Sequence, residues 1–171
     1  VFIDVDEFLY AVGTLRVIVE RRYDDRRVSA VVACWLNFGS SGHLTYSPEP
    51  VRERFTHRRR ILRKVKSIVR MQDCNFMITP HSFCVRGFVI DEHFFQRCKQ
   101  HKEGRIYPQD CGWTSDILKL NHYITKSKEE CEWRRGKHRV RVDTGKPYID
   151  TFFEENDDND IEDRGILAIR K

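Results

Sequence analysis

The segment Val28 to Phe38, Val-Ser-Ala-Val-Val-Ala-Cys-Trp-Leu-Asn-Phe, constrains the fold more than any other stretch of this chain. Its most apolar part, Val31 to Leu36, falls far short of the ~18 residues of a membrane span. A run of this length, rich in Val and closed by Gly39-Ser40-Ser41-Gly42, predicts a strand buried in the interior of a sheet. The closing loop lacks the Gly-Lys-Ser/Thr ending of a phosphate-binding P-loop.

The rest of the chain fits around such a strand. Val1 to Val5 reads as a short strand, apolar on both faces, suited to the centre of a parallel or mixed sheet. Thr14 to Tyr23 has helical spacing, with Leu15, Ile18 and Val19 on one side and Thr14 as cap. Strands are predicted at Val65 to Met71, Phe76 to Thr79, Phe83 to Ile90 and Ile117 to Ile124. Gln96 to Ser115 is polar and irregular, as expected of a surface excursion. Ser127 to Arg135 predicts a helix with Glu130 at the capping-box position and Gly136 as its stop. Tyr148 to Asp163 is helical at its start and frayed over Asn156 to Asp160. There is no strict βαβ repeat, so the expectation is an α/β fold with a mixed sheet flanked by helices and an irregular second half. The 171 residues fit one domain.

The net charge of +5 is unevenly spread: basic residues concentrate between Arg52 and Arg70, acidic ones from Glu154 to Asp163. A basic stretch serves nucleic acid, a membrane surface, a phosphorylated small molecule, or simply solvation. The six cysteines, Cys34, Cys74, Cys84, Cys98, Cys111 and Cys131, contain no Cys-x-x-Cys pair. Cys98, His101 and Cys111 make a poor zinc set without a second knuckle.

Asp4-Val5-Asp6 is the strongest chemical signal. On a strand, residues two apart share a face, and two carboxylates at a strand end suit Mg²⁺ or Mn²⁺, which take oxygen ligands and share them with phosphates. Haloacid-dehalogenase-type phosphoryl transfer starts with such a pair. That pattern needs Thr or Val where this chain has Phe8, and no apolar strand precedes the late acids Asp157-Asp158.

Further segments occur in order. They are Phe2 to Phe8, Trp35 to His43, Glu53 to His57, Lys66 to Arg70, Pro80-His81, Asn121 to Ser127, and a close from Ile161 to Leu167. Together they resemble glycosyltransferase family 92 and related family-2-like enzymes along essentially the whole chain. The resemblance implies a GT-A fold, a nucleotide-sugar donor such as a UDP-hexose (galactose often), a glycan acceptor, and Mn²⁺ or Mg²⁺ held by Asp4 and Asp6. His122, in Asn121-His122-Tyr123, takes the place of the late His that completes the metal and diphosphate site. Lys66 and Arg70, on one face of their strand, are candidates to grip the donor phosphates. Trp35, Asn37 and His43 are candidates for the acceptor sugar. An inverting transfer needs a base. Asp91 is the candidate, with Glu92, Glu7 and His43 as competitors.

A GT-A enzyme places a nucleotide-binding half before the Asp-x-Asp strand. The chain therefore reads as the metal and acceptor side of one such domain, truncated at its N-terminus. Any membrane anchor would belong to that preceding part. The expected setting is the Golgi lumen for a eukaryotic member and the cytoplasm for a bacterial one, with no nucleic-acid partner.

Overall fold

The computed structural model describes residues 1–62, 64–94, 114–135 and 148–169. They form an α/β structure with a mixed sheet and few helices. Two compact units emerge, one of residues 1–35 and 61–121, the other of residues 36–60 and 122–171.

The first unit is built on the strand that the sequence singles out. β2 (Val28–Asn37) is buried along all but its last residue. Its neighbours are β4 (Val65–Val69), antiparallel with Val31 opposite Ile68, and β7 (Phe88–Ile90), parallel with Val31 opposite Ile90. β8 (Leu118–His122) lies on β2, and β1 (Glu7–Ala11) lies on β8. Alternation along β2 feeds two cores. Ala30, Val32 and Cys34 pack with Val65, Phe83, Val85 and Val89, while Val31, Ala33 and Trp35 pack with Ala11, Ile90, Leu118 and Leu120. The hairpin β5 (Cys74–Thr79) and β6 (Ser82–Val85) supplies Phe83 and Val85 to the first core. Helix α1 (Leu15–Arg22) supplies Leu15 and Ile18 to the second.

Two predicted strands differ. Val1 to Val5 is not a strand, and Val5 is 99% exposed. The Glu7 amide donates to the Asp4 carbonyl (3.0 Å), closing a turn, and the Glu7 carboxylate accepts from the Asp4 amide (2.9 Å). A locally closed turn with Asp at its first position outcompetes an apolar tripeptide that has no neighbouring strand to pair with. Phe83 to Ile90 is two strands, not one. A Cβ on Gly87 would lie 2.2 Å from the Arg27 carbonyl oxygen. Only glycine permits that close approach, and there the chain leaves the hairpin to join β2. Thr14 does occupy the α1 cap position, but its hydroxyl makes no capping bond.

The second unit holds α2 (Val51–Arg54), β3 (His57–Arg58), α3 (Lys128–Arg135), α4 (Tyr148–Asn156) and β9 (Ile161–Glu162). β3 and β9 pair antiparallel, and α3 packs on α4. Phe38, Phe55 and Tyr123 are fully buried, the Tyr123 ring centroid lying 4.9 Å from Phe38 and 6.4 Å from Phe55. The capping box forms as the sequence predicts: the Glu130 amide donates to Ser127 Oγ (3.2 Å), and Ser127 Oγ donates to Glu130 Oε2 (2.7 Å). Gly136 and residues 95–113, with the cysteines at 98 and 111, lie outside the described residues. No described helix is long and apolar enough to cross a membrane.

Candidate functional site

The turn ahead of β1 brings acidic side chains together, and a lysine from β4 answers them. Lys66 is 1% exposed, and its Nζ lies 3.2 Å from Asp4 Oδ2 and 3.1 Å from Glu7 Oε2. Buried lysines are rare unless paired. The Glu7 side chain is wholly buried, and its Oε1 has no hydrogen-bond partner. Burial pushes the Glu7 carboxyl up, only partly offset by the Asp4 amide and the Lys66 ammonium. Asp6 is also buried, whereas the Asp4 side chain is 63% exposed.

Aromatic groups wall this cluster. Lys66 Nζ is 5.8 Å and Lys64 Nζ 5.2 Å from Trp35 ring centroids, and the His81 ring meets Trp35 edge-on at 4.7 Å. The Ser67 hydroxyl donates to the His81 carbonyl (2.9 Å). His81 Nδ1 is buried without a partner, and desolvation first, then the Lys66 charge, holds the ring's pKa below its ordinary value. Trp35 is thus walled in by Lys64, Lys66 and His81, not presented to an acceptor sugar. Lys66 and Arg70 do not act on one face either. Arg70 lies beyond the end of β4, donates to the Tyr23 carbonyl and lies over the Tyr23 ring at 4.8 Å.

A divalent metal, which the resemblance implies, needs oxygen ligands that converge. Among the described residues, only Glu92, His93 and Asp116 bring three metal-capable donor atoms within 4.8 Å of one another. Asp4, Asp6 and Glu7 do not, and an ammonium already bridges two of them. The Asp4, Asp6 and Glu7 oxygens therefore do not fit a divalent ion as they stand. The Glu92 group is itself committed. Glu92 accepts from the Thr114 hydroxyl and from the amides of Asp116 (2.7 Å), Ile117 (2.8 Å) and Leu118 (2.6 Å). Burial would raise the Glu92 carboxyl, but these bonds outweigh it and hold its pKa below the ordinary value. Glu92 is a clasp on the start of β8, not a solvated acid. Asp91, the candidate base, sits just past β7, is 2% exposed and accepts from the His93 amide (2.8 Å). As a base it would have to be reached through the groups that now cover it.

The second unit holds the other candidates. His122 ends β8, is buried, and its Nδ1 lies 3.1 Å from Asn37 Oδ1. A carboxamide oxygen only accepts, so Nδ1 is the donor in this bond. Asn37 is therefore engaged with His122. His43 packs edge-on against Phe55 at 5.7 Å, and its carbonyl accepts from the Lys128 amide (3.3 Å).

The basic stretch is largely spent on internal partners. Arg54 pairs with Glu130 (2.8 Å), Arg58 with Asp163 (2.7 Å), and Arg59 with Asp158. Asp157, one of the late acids of the phosphohydrolase reading, accepts from the amide and hydroxyl of Ser40. Of the cysteines, Cys34, Cys74 and Cys84 are free thiols, and burial pushes the Cys34 thiol up to about 12.

The buried Lys66 and its pairing with Glu7 were invisible to sequence reasoning. A lysine amid Val65, Ser67 and Ile68, on a strand expected to be half-buried, was the available signal. No protein-family model matches this chain, and no curated protein matches it.

Proposed function

We propose that this chain is the acceptor-side portion of a GT-A type glycosyltransferase that moves a hexose from a nucleotide-sugar donor to a glycan. One observation carries the proposal. The segments on which the resemblance rests, far apart in sequence, are neighbours within each unit. In the first unit Asp4 meets Lys66, Lys66 and His81 meet Trp35, and Ser67 meets His81. In the second, Asn37 meets His122, Phe38 meets Tyr123, and His43 meets Phe55. Within each unit, residues that serve a common role are expected to cluster in this way.

In this reading His122, oriented by Asn37, completes the metal and diphosphate site. Asp4 is the accessible carboxylate. Mn²⁺ or Mg²⁺ belongs to the proposal through the donor's diphosphate, because the protein carboxylates alone do not assemble a site for it. The nucleic-acid alternative loses its main support, since Arg54, Arg58 and Arg59 are neutralised internally. The Golgi-lumen or cytoplasmic setting stays part of the same proposal.

The test is donor binding. UDP-hexoses with Mn²⁺ are titrated into the full-length protein. Saturable binding and slow donor hydrolysis, lost in His122→Ala, are expected. No donor binding would sink the reading.

A further inference from the structure

We propose that the ammonium of Lys66 is the resident cation of the Asp4–Glu7 carboxylate pair, so that a divalent ion gains this site only by expelling it. The proposal holds whether or not the chain transfers sugar.

Three observations converge on it. Lys66 Nζ lies 3.2 Å and 3.1 Å from one oxygen of each carboxylate, the position from which a single cation serves both. Its stem is held on β4 between Val65 and Ser67, both buried, so the ammonium is delivered by the sheet and does not swing on a mobile surface. Glu7 Oε1, on a wholly buried side chain, is without a partner. Two carboxylates against one ammonium leave a negative charge, and the orphaned oxygen lies on the buried side of the pair. The cluster is thus compensated well enough to fold and incompletely enough to attract further positive charge.

A divalent ion would answer that deficit but faces two obstacles. It would lie against a buried ammonium, a like charge in a poorly screened place. It would also lack a third converging protein ligand, because the Asp4, Asp6 and Glu7 oxygens do not come within 4.8 Å as a set. Removing the ammonium lifts the first obstacle and frees two oxygens at once.

The experiment is a Mn²⁺ titration of this chain, free Mn²⁺ being read by electron paramagnetic resonance, with no nucleotide sugar present. Failure here is therefore separate from failure of the glycosyltransferase reading. Lys66→Met is expected to bind Mn²⁺ at least ~10-fold more tightly than the unaltered chain, from loss of a near-contact like charge. Adding Asp4→Asn to it should cancel the gain. Lys64→Met, which removes an exposed lysine over the same Trp35 ring, should change nothing. Equal affinity in Lys66→Met and the unaltered chain would overturn the proposal, as would an equal gain in Lys64→Met. Should Lys66→Met fail to fold, the unaltered chain decides by ¹⁵N NMR of lysine side chains. A Lys66 ammonium signal protected from exchange, and kept in equimolar Mg²⁺, is expected. A rapidly exchanging signal, or Mg²⁺ bound at Asp4 with the protected Lys66 signal unchanged, would overturn the proposal.

Discussion

Each unit buries an ion pair over a neighbouring aromatic ring, Arg54–Glu130 in the second and Lys66–Glu7 in the first, and these two are built differently. In the second unit Arg54 donates from Nη1 and Nη2 to both oxygens of Glu130 (2.8 and 3.0 Å) and from Nε to the Glu49 carbonyl (2.9 Å), and it covers the Phe55 ring at 4.6 Å. Ser127 completes Glu130. In the first unit Lys66 reaches one oxygen of Glu7 and leaves the other orphaned. The Glu130 carboxyl is held below its ordinary value, with burial outweighed by Arg54 and Ser127, while the Glu7 carboxyl is raised by burial. A fully satisfied pair is a structural brace. An unsatisfied one is a reservoir of strain, and such groups cluster where proteins bind ligands.

The largest effect should come from breaking the brace. Glu130→Ala leaves a buried guanidinium uncompensated and is expected to cost about 3–5 kcal/mol in denaturant unfolding. Next is Glu92→Ala, which strands three amides and a hydroxyl at the start of β8 and should cost about 2–3 kcal/mol. If Glu92→Ala unfolds the chain more readily than Glu130→Ala, the clasp and not the brace dominates. Removing both charges of the other pair should do far less. Glu7→Gln with Lys66→Met is expected within about 1–2 kcal/mol of the unaltered chain, because an apolar substitute forfeits no satisfied network. A loss as large as that of Glu130→Ala would erase the contrast between the pairs. Ser127→Ala, which removes only the capping hydroxyl, should cost about 1 kcal/mol.

The pH dependence sharpens the same contrast, since the two glutamates carry opposite signs. Glu130 and Glu92 have lowered folded values. Their stabilisation is present above the ordinary 4.5 and is lost as pH falls below it through the folded values. Glu7 has a raised value, so its contribution is present below 4.5 and is lost as pH rises through the folded value. Unfolding free energies measured from acid to neutral pH should therefore rise with pH in the acidic range, with an opposing slope above it that Glu7→Gln removes. No change of slope in Glu7→Gln would refute the Glu7 assignment.

Much of the fold was legible because it is local. The apolar run at β2, the alternation of β4, the late strand β8 and the Ser127–Glu130 box each carry their signal within about ten residues. Val1 to Val5 misled because apolar composition speaks for burial only if a neighbour exists to bury against. Gly87 was readable as a break only once Arg27 was seen beside it. Of the candidate site, the acids and His122 were legible as residue types, but their partners were not. Asn37 is 85 positions from His122, and Lys66 is 62 from Asp4.

The sequence by itself determined the central strand and the class of fold, and it singled out Asp4 and Asp6, since these follow from side-chain polarity along a short length of backbone. Only the tertiary structure decided what faces the acids. Ion pairing depends on which strands lie side by side. That pairing set an ammonium beside Asp4, where the sequence led to a metal being expected, because the register of β4 delivers Lys66 inward to Glu7, a carboxylate that could not otherwise be buried.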